Sequence, residues 1–112
     1  MKRKVILSID SHQLNKLSVG LQVGAKKVFI NRKVSLWTSQ LLLPLINELL
    51  RKNHLVVTDL SEIKVSCGPG SYTGLRVGIA IAQAMAFLLE IPLNGQKNRP
   101  VELIYENDRF RG

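Results

Sequence analysis

One glycine-rich segment holds the residues best suited to binding an anion. It lies between an apolar strand-like run and a long apolar helix-like run, and Arg76 follows it. Backbone N–H groups at the start of a helix, together with the positive end of the helix dipole, favour phosphate or carboxylate there. Arg76 could add a second anion contact, or it could form a surface salt bridge. Because glycines carry no side chain, the backbone of another protein could also approach this segment closely. The turn residues are Gly68, Pro69, Gly70, Ser71, Thr73 and Gly74.

Asp10 and Ser11 come directly after a β-branched run and form a second candidate site. A carboxylate at the end of a strand can hold a metal or orient a phosphate. An Asp that caps local N–H groups in a turn is the more common arrangement, and we favour it here. The glycine segment lacks the Gly-Lys-Ser/Thr ending of a P-loop. Phosphate or metal binding by Asp10 and Ser11 therefore remains a weak alternative.

The remaining reactive side chains are few. His12 and His54 are the only histidines and Cys67 is the only cysteine, so neither a zinc site nor an internal disulfide is expected. A single cysteine at the end of a strand is usually a small buried apolar residue, and we predict that role for Cys67. The sequence therefore predicts no catalytic centre and no metal site.

Charge and hydropathy limit the choice of partners. The 112 residues are 46% hydrophobic, which fits one globular domain, and the net charge of +8 would suit an acidic partner. The basic residues occur in scattered pairs without interleaved aromatic residues, which favours a solvated basic surface over direct nucleic-acid binding. The apolar run after Lys4 is too short for a signal peptide, and the segment 75–89 is too short to cross a membrane. We expect a cytoplasmic protein.

The hydropathy pattern predicts an α/β fold. Three strands with short links predict an antiparallel meander, and the strand–helix–strand order after it predicts a parallel crossover. The second helix is apolar nearly all round, so we expect one face on the sheet and another against a partner. Residues 91–95 end this region as a turn or a strand start. The predicted strands are 5–9, 17–21, 27–31 and 62–67, and the predicted helices are 39–52 and 75–89.

The segment 68–80 makes the chain similar to the bacterial TsaB (YeaZ-like) proteins. It reads Gly-Pro-Gly-Ser-Tyr-Thr-Gly-Leu-Arg-Val-Gly-Ile-Ala, and residues 9–11, 17–21 and 39–50 add to the resemblance, which runs from about 4 to 95. The resemblance implies an actin-like, ribonuclease-H-like (ASKHA) lobe, which is a five-stranded mixed sheet with two main helices. It implies that 1–95 form this lobe, that 96–112 are a short tail, and that the family's second lobe is missing.

The same resemblance implies a role in making threonylcarbamoyladenosine, the modified base next to the anticodon of some tRNAs. TsaB proteins are non-catalytic scaffolds that dimerise with the catalytic subunit TsaD, join the ATPase TsaE, and form homodimers in isolation. They lack the metal-binding histidine pair of TsaD. The chain is then expected to need no cofactor of its own, because ATP and metal would be bound by partner subunits, and to reach tRNA only through the complex.

The family's interface is formed by the two helices, here 39–52 and 75–89, packed into a bundle with the partner. The glycine turn would then start the second helix close to the sheet so that its outer face meets another protein. Two alternatives remain, a nucleotide-binding phosphotransferase of the ASKHA type and a basic tRNA-binding module. The interface residues implied are Leu42, Ile46, Leu49, Tyr72, Leu75, Arg76, Ile79, Ala80, Gln83 and Phe87.

Overall fold

The structure is a computed structural model that describes residues 3–13, 15–33, 39–70 and 72–97. In this part of the chain a mixed sheet of four strands carries two α-helices. Short 3-10 turns at Ser39–Leu41 and Val57–Asp59 flank the first helix. The strands are β1 (Val5–Gln13), β2 (Lys16–Val23), β3 (Lys26–Lys33) and β4 (Glu62–Val65), and the helices are α1 (Leu42–Lys52) and α2 (Tyr72–Leu89).

The order of strands across the sheet is β3-β2-β1-β4. β1 pairs antiparallel with β2, and β2 pairs antiparallel with β3, so the predicted meander is confirmed. β4 pairs parallel with β1 after the crossover through α1, as the strand–helix–strand order requires. The central strand is therefore the first strand of the chain, and it is paired on both sides.

The prediction of five strands was wrong for the described residues, in which the sheet has four strands. Beyond β4, only Leu93 forms a single parallel bridge, with Ile63. The side chain of Asn94 replaces further backbone pairing: its Oδ1 accepts from Val65 N at 2.8 Å, and its Nδ2 donates to Val65 O at 3.1 Å. The segment that ends the described region therefore pairs along β4 without forming a strand.

Strand pairing puts the apolar residues of β1 and β2 on one face. Val5 pairs with Val23, Leu7 with Leu21 and Ile9 with Val19, and the residues from 5 to 9 on this face are buried. Both helices pack on this face, α1 mainly on β2 and α2 on β1 and β4. The core thus lies between one face of the sheet and the two helices.

The first helix follows its amphipathic pattern. Leu42, Leu45, Ile46, Leu49 and Leu50 are buried against the sheet at helical spacing. Pro44 falls in the first turn of α1, where a missing N–H costs little.

Each strand and helix differs from its predicted bounds by one to four residues at one or both ends, and two of these differences lie next to the glycine turn. β1 continues through Asp10 and Ser11 to Gln13, because β2 extends alongside it and Gln13 pairs with Lys16. Helix α2 begins at Tyr72, so the last three residues of the predicted turn, 72–74, form its first turn. The predicted tail lies mostly outside the described residues, since the structure does not describe 98–112, and the division at residue 95 stays a prediction.

Candidate functional site

Ser11 joins the central strand to the start of the second helix. Its side chain is fully buried, and its Oγ donates a hydrogen bond to the carbonyl oxygen of Gly74 at 2.8 Å. Gly78, one turn further along α2, lies against the same hydroxyl, and a Cβ at that position would overlap Ser11 Oγ. The hydroxyl that the sequence proposed for phosphate is therefore buried and holds the helix on the sheet.

The glycine turn packs against the end of β1. A Cβ at Gly70 would lie 2.5 Å from the carbonyl oxygen of His12, so only glycine fits there. Gly68 has a φ of +107°, and the Gly68–Pro69 peptide bond is cis. Protein atoms thus fill the side of the turn that faces the strand. Of the other predicted turn residues, Thr73 lies in the first turn of α2, and Ser71 lies outside the described residues.

Asp10 makes local contacts within β1. Its Oδ1 accepts a hydrogen bond from the backbone N–H of His12 at 3.2 Å and also contacts His12 Nδ1. This is the local pairing that the sequence favoured over phosphate or metal binding, although it occurs within a strand instead of a turn. Within the described ranges, no three His, Cys, Asp or Glu side chains come together as possible metal ligands.

Cys67 is partly buried just after β4. Burial raises the pKa of its thiol above the ordinary value of 9.0, and a hydrogen bond from Asn94 Nδ2 to Sγ at 3.3 Å opposes that rise. The thiol is therefore protonated at neutral pH, whereas the thiolate is the nucleophilic form. Cys67 is thus partly buried and hydrogen-bonded to Asn94, so the predicted role of a small buried apolar residue is met only in part.

Half of the predicted interface residues lie in the core of this chain. The prediction assigned one apolar face of each helix to a partner, but each helix uses that face to cover the sheet. These residues are at most 7% exposed and cannot contact another protein in this fold, which corrects the prediction for them. They are Leu42, Ile46, Leu49, Leu75 and Ile79.

The outer side of α2 carries most of the remaining predicted interface residues. Arg76, Ala80 and Phe87 are exposed and Gln83 is half-buried, and their spacing places them on one side of the helix. Tyr72 belongs to the first turn of the same helix.

Apolar side chains form a continuous band on that outer side, which we call the outer strip. It consists of Ala80, Ala84, Phe87 and Leu88. Phe87 is 74% exposed and Leu88 is 76% exposed, which is unusual for two neighbouring large apolar residues. The predicted interface residues included neither Ala84 nor Leu88 of this strip, although both follow Ala80 at helical spacing.

Comparison with known proteins identifies the family of this chain. Residues 32–96 match the family model of TsaD, tRNA N6-adenosine threonylcarbamoyltransferase. The chain belongs to this family. Within the family it is similar to TsaB proteins, as its sequence motifs indicated.

The TsaB relatives cover most of this chain. TsaB of Buchnera aphidicola subsp. Baizongia pistaciae is 34% identical over 89 residues, which are 80% of this chain and 40% of the relative. TsaB of Haemophilus influenzae is 32% identical over 93 residues, 83% of this chain and 39% of the relative. The chain thus spans about 40% of the length of these relatives.

The fold also matches a solved relative. YeaZ from Pseudomonas aeruginosa superposes with a TM-score of 0.76 at 27% identity, over 80% of this chain and 42% of that chain. The TsaB/YeaZ-like resemblance is therefore confirmed, as is an α/β fold with a mixed sheet and two helices. The finer assignment to an actin-like, ASKHA lobe stays a prediction. Among the described helices of this TsaB-like chain, none is long and apolar enough to cross a membrane.

Proposed function

We propose that this chain acts in the biosynthesis of tRNA threonylcarbamoyladenosine as a TsaB-like, non-catalytic scaffold, and that the outer strip of α2 binds a TsaD-like catalytic subunit. The names of the family and of the TsaB relatives support a role in this biosynthesis. The observation that carries the interface is the exposed apolar strip on a helix whose opposite face already covers the sheet.

Hydrophobic burial provides the driving force for this docking. Burying a large apolar side chain such as Phe87 or Leu88 gains about 1.5–3 kcal/mol per residue. Ala80 and Ala84 are small enough to let a partner helix approach the backbone closely. A helix of the partner laid along α2 would bury these four side chains together, with Arg76 and Gln83 at the margin of the contact.

The outer strip would also bring two copies of this chain together when the catalytic subunit is absent. A TsaE-like ATPase would join the complex, and ATP and metal would be bound by the partner subunits. Contact with tRNA would occur within the complex, in the cytoplasm, where the single cysteine stays reduced.

Co-purification with the TsaD-like subunit of the same organism tests the interface. Phe87→Arg should weaken the complex about 30-fold or more, because it puts a charge into the centre of the strip. Val56→Arg is the matched control, since Val56 is a large apolar residue, 62% exposed, in the segment between α1 and β4. Equal binding by the two variants, or no binding by the unchanged chain, would contradict the proposal.

Light scattering of the isolated chain tests the homodimer through the same strip. The unchanged chain should give the mass of a dimer, and Ala84→Arg should give the mass of a monomer while its circular dichroism spectrum stays the same. A dimer that survives Ala84→Arg would place self-association elsewhere on the molecule.

A further inference from the structure

The face of the sheet opposite the helices carries basic side chains and one aromatic ring on the neighbouring strands β2 and β3. We call this surface the β2–β3 platform and define it by Lys16, Gly20, Lys27, Phe29, Asn31 and Lys33. Pairing assigns these residues to one face: Phe29 lies opposite Gly20, Asn31 opposite Ser18, and Lys33 opposite Lys16. Lys27 and Asn31 stand two residues on either side of Phe29 and so share its face.

Phe29 is the centre of the platform. Its ring lies over Gly20, where an added Cβ would be 2.6 Å from Cε1 and 2.7 Å from Cδ1. Covering a strand glycine with an aromatic ring supports the sheet. The ring is nevertheless 66% exposed, so it also presents a flat apolar surface on the outside of the sheet.

The charges of the platform are all positive, and the carboxylate of Asp10 on β1 lies on the same face beside Ser18. β2 and β3 contain five Lys or Arg residues and no Asp or Glu. Arg32 is paired with Glu48 of α1, whereas Lys16 and Lys33 lie directly opposite each other on the platform. Like charges at paired positions destabilise a sheet, and a bound anion between them would relieve that repulsion.

An exposed aromatic ring on a sheet, flanked by lysines, fits the chemistry of unpaired nucleic acid. Bases of a single strand can stack on an aromatic side chain while basic residues contact the adjacent phosphates. Bases within a duplex are already stacked, so a duplex could use only the lysines. The scattered basic pairs of the sequence thus become a basic surface with an aromatic centre once strand register is known.

We propose that the β2–β3 platform binds single-stranded nucleic acid, with one base stacked on Phe29 and its neighbouring phosphates held by Lys27 and by the Lys16–Lys33 pair. This inference goes beyond the proposed function, in which tRNA is reached only through the complex. It concerns the opposite side of the sheet from the outer strip, so its test needs no partner subunit.

Fluorescence anisotropy of the whole chain with labelled oligouridine of about ten nucleotides measures the stacking contact. Phe29→Leu keeps an apolar cover over Gly20 but removes the aromatic ring, and it should weaken binding about tenfold or more. Phe29→Trp keeps a ring and should bind at least as tightly as the unchanged chain. Equal affinity of the Leu and Trp variants, with unchanged thermal melts, would overturn the proposal.

Salt dependence measures the phosphate contacts. Lys27→Gln should reduce the slope of log affinity against log salt by about 0.7, the value for one phosphate contact on a single strand. Lys26→Gln is the matched control, because Lys26 neighbours Lys27 on the same strand but lies on the other face. An equal decrease of the salt slope in the two variants would mean that only the overall charge matters, and it would overturn the proposal.

Oligothymidine and an RNA duplex complete the experiment. Tighter binding of oligouridine than of oligothymidine would identify RNA as the occupant, and the reverse order would identify DNA. Binding of the duplex as tight as that of the single strand, or failure of the unchanged chain to bind either single strand at low salt, would exclude the platform.

Discussion

The two helices cover the same face of one sheet, yet their outer sides differ in chemistry. On α1, Glu48 accepts from Arg32 of β3 at 2.9 Å and lies 3.1 Å from Lys52 Nζ one turn away, and Asn47 and Arg51 are exposed beside it. On α2, the corresponding side carries Phe87 and Leu88. Apart from Leu43 in its first turn, which is 51% exposed, α1 meets water with charges and amides, whereas the last turns of α2 meet it with apolar side chains.

This difference separates what the fold needs from what it does not. Covering the sheet requires only an apolar inner face, because α1 does so with a mostly polar outer side. The outer strip of α2 is then not a requirement of the fold, which is why we propose that a partner covers it. Variants on the inner and outer sides of the helices test this division.

The largest effect is expected from the inner side of α1. Leu49 is 2% exposed, and Leu49→Ala should lower the free energy of unfolding by about 2–5 kcal/mol through lost burial and the cavity left behind. Phe87→Ala on the outer strip should change it by about 0.5 kcal/mol or less. Urea unfolding of both variants, at concentrations where the chain is monomeric, measures the contrast.

Similar losses in these two variants would break the comparison between inner and outer sides. They would show that Phe87 contributes to the stability of the single chain, and the outer strip would then be part of the fold.

A smaller effect is expected where α2 touches β1. Gly78→Ala should destabilise by about 1–3 kcal/mol, because its Cβ would overlap Ser11 Oγ. In the background of Ser11→Ala the same change meets only Ser11 Cβ at 3.4 Å and Ile9 Cγ2 at 3.6 Å. There, Gly78→Ala should be neutral or stabilise by about 0.5–1 kcal/mol, since alanine favours the helix over glycine.

Chemical denaturation of the two single variants and the double variant gives the coupling between Ser11 and Gly78 directly. Strictly additive effects would mean that α2 can shift away from β1 at this contact. The distance between α2 and β1 would then not be set by Ser11 and Gly78.

The smallest effect is expected from the ion pairs on the outer side of α1. Hydrogen bonds from Lys52 and then Arg32 hold the pKa of Glu48 below its ordinary value of 4.5. A depressed carboxyl pKa contributes stability above the ordinary value, and this is lost as pH falls through the folded-state pKa. Glu48→Gln should therefore lower the melting temperature slightly at about pH 7 and not at about pH 3.

Glu62→Gln, which removes one carboxylate from β4, is the control for this pH comparison. A melting temperature that falls equally in the two variants at neutral pH would assign the effect to net charge, and the ion pairs of α1 would then contribute nothing specific.

The sequence predicted the order of the elements because their hydropathy periods are clear. The pattern of α1 defines one apolar face, since polar side chains mark the other, whereas apolar residues surround α2. Hydropathy alone does not say whether an apolar helix face covers the sheet or a partner. Leu42, Ile46 and Leu49 of α1 were therefore assigned to a partner when they belong to the core, and so were Leu75 and Ile79 of α2. Strand ends were also missed: Asp10 is polar, yet it stays in β1 because β2 extends alongside it.

Contacts distant in sequence account for the rest. Ser11 and Gly74 are separated by 63 positions, and nothing in either segment alone indicates that the hydroxyl lies under the helix. The position of Phe29 over Gly20 likewise depends on the register of β3, in which no side chain is fully buried, and hydropathy specifies register only weakly in such a strand. The resemblance to TsaB proteins was visible in the glycine segment, whereas the chemistry of the opposite sheet face was visible only after folding.

The central position of the first strand also has a consequence for synthesis. Val5 N donates to Ser61 Oγ, 56 positions later, beside the start of β4. At about 5–20 residues per second, a ribosome needs about 3–11 seconds to add that length. During this interval β1 can pair with β2 but has an open edge toward β4. Unpaired strand edges attract other chains, so the nascent protein is most prone to aggregate in these seconds and is protected once β4 docks.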